Sequence, residues 1–167
     1  MLSAKNKGIA RELKRRILRQ WKLVFGPNYN LNTINEYLSI IQEKYSQENR
    51  PYVIFLDREM YNLQITHPKS LGEEDESFGF NVGIYFNTDL PEAESEHNQF
   101  KKLSTFNDYI EHKNGNTYAY TVACHTSTDK ASEYITELLS KIKNYDAKTK
   151  ILPEHHYYDP QEPMTSV

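Results

Sequence analysis

Cys124 and His125 are the sharpest adjacent pair in this chain with the chemistry of a nucleophile and its base. A cysteine nucleophile acts as thiolate, and a histidine within reach can take its proton. The spacing argues against that use. Cys124 continues the alternation Tyr118, Tyr120, Val122, which reads as one face of a strand. Consecutive strand residues point to opposite faces, so the pair reads as a buried structural cysteine followed by a histidine on the other side. Six histidines raise the question of metal. His155 and His156 are neighbours, but His67, His97, His112 and His125 are scattered, and no pair has the i, i+4 spacing of a helical metal site. One cysteine cannot supply the Cys-x-x-Cys half of a zinc site. No catalytic, metal-ligating or cofactor-binding residue is assigned, and no cofactor is expected.

The carboxylates gather in two runs, Glu73-Glu74-Asp75-Glu76 and Asp89, Glu92, Glu94, Glu96. Neither has the spaced oxygen ligands and central glycine of a calcium loop. They read as solvated acidic loops, with Glu73, Glu74, Asp75 and Glu76 as a candidate surface for a basic partner. There is no Gly-Lys-Ser/Thr phosphate loop, no Gly-x-Gly-x-x-Gly and no Gly-x-Ser-x-Gly elbow. These absences disfavour a kinase, a dehydrogenase or a common hydrolase, and the reading leans away from an enzyme. An enzyme of unfamiliar type is the third alternative.

Charge is segregated along the chain. Residues 1–22 carry eight Lys or Arg against Glu12 alone, a formal +7, while the whole chain is −3, which leaves −10 for the remainder. The cations are not a free tail. Ile9, Leu13, Ile17, Trp21 and Val24 recur at steps of four and three, so they form one stripe of a helix over roughly residues 4–24. Arg11, Arg15, Arg19 and Lys22 fall opposite that stripe and are the candidate partner contacts. Gly26-Pro27 ends this basic amphipathic helix.

A second helix follows, with Leu31, Ile34, Leu38, Ile41 and Tyr45 as its apolar face and capping-box spacing at Thr33 and Glu36. The pattern then changes to period two. Tyr52–Leu56 is a dense β-prone run, Tyr61, Leu63 and Ile65 alternate with polar residues, and Phe78, Phe80, Val82, Ile84 and Phe86 mark the cleanest strand. Gly79 and Gly83 within it suggest a bulge or a close approach. Residues 87–99 read as irregular. Phe100, Leu103, Phe106 and Ile110 fit a helix face, whereas Asn114-Gly115 is a hairpin signal that would make 106–113 a strand. The helix, capped by Gly115, is the preferred reading. Tyr118–Cys124 is a strand, and Ala131, Tyr134, Ile135, Leu138, Leu139 and Ile142 face the core from a last helix capped by residues 125–129. From Asp146 the periodicity fades, and Pro153, Pro160 and Pro163 suggest an extended arm.

The order predicts an α+β domain over residues 1–145: a mostly antiparallel sheet of about four strands, with an N-terminal helix pair and a C-terminal helix packed on one face. Residues 146–167 form the arm. This order resembles small secretion-chaperone or immunity-type domains at the level of fold alone, which assigns no function. Leu, Ile, Val and Phe number 38 of 167 residues, so the core is small, and 13 tyrosines help to fill it. The mean hydropathy is −0.78. The longest uninterrupted apolar run, Tyr52–Leu56, is too short to span a bilayer, so no membrane partner is expected. A chain with one cysteine and no secretory signal is expected in the cytoplasm.

These observations point to a small, non-catalytic protein-binding module of immunity, adaptor or chaperone type, acting through charged surfaces. The expected partner is another protein, and self-association is open because opposite charges can pair between copies. The alternative is a nucleic-acid-associated protein that grips the phosphate backbone through the basic helix. The acidic remainder of the chain opposes that polyanion.

Overall fold

The structure, a computed structural model, describes residues 29–48, 52–57, 60–66 and 79–157. The expected basic helix over 4–24 lies outside the described residues, as do Glu73–Glu76 and the end of the arm. Helix α1 (Ile34–Glu48) begins directly after Thr33. Its residues at steps of three and four, Ile34, Leu38, Ile41 and Tyr45, are buried, with Tyr37 joining from the flank.

Strands β1 (Tyr52–Asp57) and β2 (Met60–Thr66) pair antiparallel, and β3 (Phe80–Asn87) adds to β2. Helix α2 (Pro91–Phe100) and a 3₁₀ turn at Phe106–Asp108 then lead to the hairpin of β4 (Ile110–Asn114) and β5 (Thr117–His125). β5 returns beside β3. Helix α3 (Thr128–Glu137) is capped by Ser127, whose side chain accepts from Lys130 N at 3.1 Å. It widens into a π turn at Leu138–Ile142, and β6 (Glu154–Tyr157) pairs with β1. The sheet has six strands in the order β4-β5-β3-β2-β1-β6, every pair antiparallel.

The fold is thus α+β, with helices over one sheet face. On that face Tyr52, Ile54 and Leu56 of β1 lie beside Leu63 and Ile65 of β2, then Phe80, Val82, Ile84 and Phe86 of β3, then Tyr120, Val122 and Cys124 of β5, all buried. α1, α2 and α3 cover this row with Leu38, Ile41, Phe100, Ala131 and Ile135, and the π turn adds Leu138, Leu139 and Ile142. The Phe100 ring packs near Phe86, Phe106, Tyr109 and Tyr120 with centroids 4.7 to 5.5 Å apart.

Two of the six strands were not expected, and both are edges. The preferred helix over 100–113 is overturned. Phe100 ends α2 and is fully buried, whereas Ile110, placed on the same helix face, is 63% exposed on β4. The hairpin that Asn114-Gly115 signalled prevails, with its loop one residue later at Gly115-Asn116: Gly115 takes φ +59° at the first central position, the conformation a type II′ turn requires. Residues 87–99, expected irregular, contain α2. Pro91 starts it with a pre-set φ, and Glu92 and Glu94 lie by its positive end. It escaped notice because only His97 and Phe100 turn inward.

At the other edge, β6 and the buried Ile151 draw the first part of the expected arm into the sheet. Ile151 N donates to Tyr29 O at 2.8 Å. Gly83 needs no special space, since a Cβ there would meet its nearest neighbours at 3.6 Å, and the register shift in β3 lies between Phe80 and Asn81 instead.

Phe86→Ala is expected to lower the unfolding free energy by about 3–5 kcal/mol through the cavity it leaves. Gly115→Ala, with no neighbour to strike, is expected to cost about 1–2 kcal/mol through the strain of its positive φ. Urea denaturation of both variants measures this, and equal losses would contradict the placement of Phe86 in the core and Gly115 at an open turn.

Candidate functional site

The side chains with acid–base or nucleophilic potential are held mainly by the fold itself. His97 turns inward from α2 and is 3% exposed. Its ring lies 5.0 Å from that of Phe86 and 4.4 Å from that of Tyr118. His97 Nε2 is 2.7 Å from the Tyr120 hydroxyl, which donates to Glu111 Oε2 at 2.6 Å. Tyr120 has a single proton, so its oxygen accepts from Nε2–H and the neutral imidazole carries its proton there. Burial, and then Lys101, hold the imidazole below its ordinary value, while Glu111 opposes them. Burial and the Glu111 carboxylate raise the Tyr120 phenol. The chain Glu111–Tyr120–His97 therefore keeps its protons and ties β4 through β5 to α2.

His155 does the same at the opposite edge. Its Nε2 lies 2.9 Å from the Tyr37 hydroxyl and its Nδ1 lies 2.8 Å from that of Tyr45. The Tyr45 ring stacks on Tyr52 at 4.4 Å, and the Tyr52 hydroxyl donates to Gly79 O at 3.0 Å. β6 is thereby pinned to α1.

Cys124 is buried, and burial pushes its thiol up to about 11, far from the range of a reactive thiolate. His125 is exposed with φ +50°. The two do not meet, as strand alternation predicts. Among the described residues no group of three or more His, Cys, Asp or Glu could hold a metal ion. No described helix is long and apolar enough to cross a membrane.

Two of the open depressions among the described residues lie beside the helices. One, about 500 Å³, lies between α1 and α3. Several of its polar groups bond one another: Asn35 donates to Asp129 at 2.7 Å, and Glu137 accepts from Ser104 and Thr105. The other, about 730 Å³, is bordered by Asn62, Tyr85, Leu90, Glu92 and Glu96. Glu96 is tied to Lys143 Nζ at 2.6 and 2.7 Å. His97 and Cys124 border neither depression.

The remaining feature is the β4 edge. All five of its side chains are exposed, and no described strand pairs on its outer side. In an antiparallel hairpin a two-residue loop is closed by a hydrogen-bonded pair, here Asn114 and Thr117. Alternation then gives His112 and Ile110 to β5 as well. The N–H and C=O groups of Glu111 and Lys113 point away from the sheet.

No family model, no curated protein and no solved structure matches the chain. The weight therefore rests on geometry. Arg11, Arg15, Arg19, Lys22, Glu73, Glu74, Asp75 and Glu76, the contacts expected from the sequence, lie outside the described residues. Glu111 and Lys113 were not among them. Gly115-Asn116, read as a Gly-first two-residue loop, was the signal that would have found them, whereas Asn114-Gly115 as the central pair would have turned His112 outward instead.

Because the folded protein holds His97 below the ordinary imidazole value of 6.5, the unfolded chain takes up this proton first as pH falls. The contribution of His97 is constant above that value and turns against folding as pH falls through it. The urea midpoint is expected to drop between about pH 7 and pH 5 and to drop less in His97→Gln. An unchanged pH slope in the variant would contradict the buried neutral imidazole.

Proposed function

We propose that this chain is a non-catalytic protein-binding module of the kind that immunity, adaptor or chaperone-type proteins use. The observation that carries the proposal is the β4 edge, where the outward backbone groups of Glu111 and Lys113 lie beside exposed side chains. Extended polypeptide adds to such an edge by main-chain hydrogen bonds, and the flanking side chains select it. The engagement of His97, His155 and Cys124 within the fold supports a binding role over a catalytic one. Glu111 and Lys113 present both signs of charge within one strand, which suits a polypeptide better than a polyanion. A lone, buried cysteine suits a cytoplasmic protein.

Lys113→Pro removes an outward N–H without removing a ladder bond, so it blocks the edge and spares the fold. The wild-type protein is expected to retain a protein partner in its host cells, and Lys113→Pro to lose it. Retention of the same partner by the variant would contradict the reading. So would recovery of nucleic acid alone, released by salt.

A further inference from the structure

We propose that the polypeptide which adds to β4 is β4 of a second copy of this chain, antiparallel about a two-fold axis at His112. The proposal rests on the protein-binding reading and names its partner.

Outward-facing residues must meet outward-facing residues, because only they have free N–H and C=O groups. That leaves three symmetric registers, centred on Glu111, His112 or Lys113. Centring on Glu111 sets that carboxylate directly against its own copy. Centring on Lys113 sets ammonium against ammonium. Like charges directly opposite destabilise a strand pair, and opposite charges stabilise it. Only the register centred on His112 places each Glu111 against Lys113 of the second copy, and it does so twice. Both are hydrogen-bonded positions, so four main-chain bonds form across the axis. The charges that would repel a mismatched strand thus select one pairing.

The side chains are already disposed for it. Glu111 and Lys113 occupy the same face of the strand, opposite Tyr120 and Tyr118 of β5. Glu111 Oε2 is held at 2.6 Å by the Tyr120 hydroxyl, and Lys113 Nζ sits 4.8 Å from the centre of the Tyr118 ring. Ile110, 63% exposed on the other face, comes opposite Asn114 of the second copy. The two His112 side chains meet at the central non-hydrogen-bonded position, where strands bring Cα atoms to about 4.5 Å. The result is one continuous sheet through both copies, with the helices of each on its own part.

Sedimentation equilibrium of the full chain tests this. A dimer is expected for the wild type. Glu111→Lys and Lys113→Glu are each expected to weaken it about tenfold or more, and the double exchange to recover most of the loss. His112→Cys is a second readout that needs no charge change. Its sulfurs would meet across the axis within disulfide reach, while Cys124 stays buried, so oxidation is expected to yield a covalent dimer. A monomeric wild type, single charge variants that dimerise unchanged, or a His112→Cys protein that does not cross-link would each overturn self-pairing. A monomer whose Lys113→Pro form still loses a different protein partner overturns self-pairing alone. The protein-binding reading falls if Lys113→Pro loses nothing, or if only nucleic acid is recovered.

Discussion

Burial of one row of β3 is the constraint on which the remainder of the structure depends. Phe80, Val82, Ile84 and Phe86 lie on the helix side, each 0 or 1% exposed. Such a row requires cover over its face and a hydrogen-bonded neighbour on either side of the strand. β2 and β5 are those neighbours. Phe86 contributes most specifically, because its ring lies within 5.5 Å of both His97 and Phe100. A core with few aliphatic residues is completed by aromatic ones, and their polar ends must then find partners.

Those polar ends fasten the edges. An edge strand has only one ladder, and β4 buries no side chain at all. It is joined to the core by Glu111, Tyr120 and His97, a hydrogen-bonded chain that crosses from β4 through β5 to α2. β6 is joined by His155, whose two nitrogens meet tyrosines about two turns apart on the buried side of α1. The two histidines thus do equivalent mechanical work at opposite ends of the sheet. The abundance of tyrosine has the same cause: each of these links needs a ring that can be buried and a hydroxyl that can bond. Fastening β4 from its inner side leaves its outer backbone without a strand partner among the described residues, and that is the origin of the proposed docking edge.

The interior was legible from the sequence because burial imposes a period. The alternation of β3 and the faces of α1 and α3 follow from which residues must avoid water, and Leu38, Ile41, Ile135 and Leu138 are buried as their spacing requires. The edges obey no such rule. β4 reads Ile-Glu-His-Lys-Asn, with no inward row to mark it, and Ile110 mimicked the next turn of a helix begun at Phe100. β6 is four residues long and is defined by its pairing with β1. α2 was hidden by acidic solvent-facing residues. The local chemistry of Asn114-Gly115 held the correct answer, and the apolar spacing of 100–110 outweighed it in error. Cys124 was legible for the same reason as β3, while the links of His97 and His155 join residues 23 to 118 apart in sequence, which no local pattern encodes.

The central claim is that Glu111 and Lys113 turn their backbone outward and His112 does not. Amide hydrogen exchange resolved by residue, followed as a function of protein concentration, tests it directly. In dilute protein the amides of Glu111 and Lys113 should exchange rapidly while those of His112 and Asn114 stay protected. Raising the concentration should slow Glu111 and Lys113 alone. Protection of Glu111 and Lys113 in dilute protein, with rapid exchange at His112, would contradict the account.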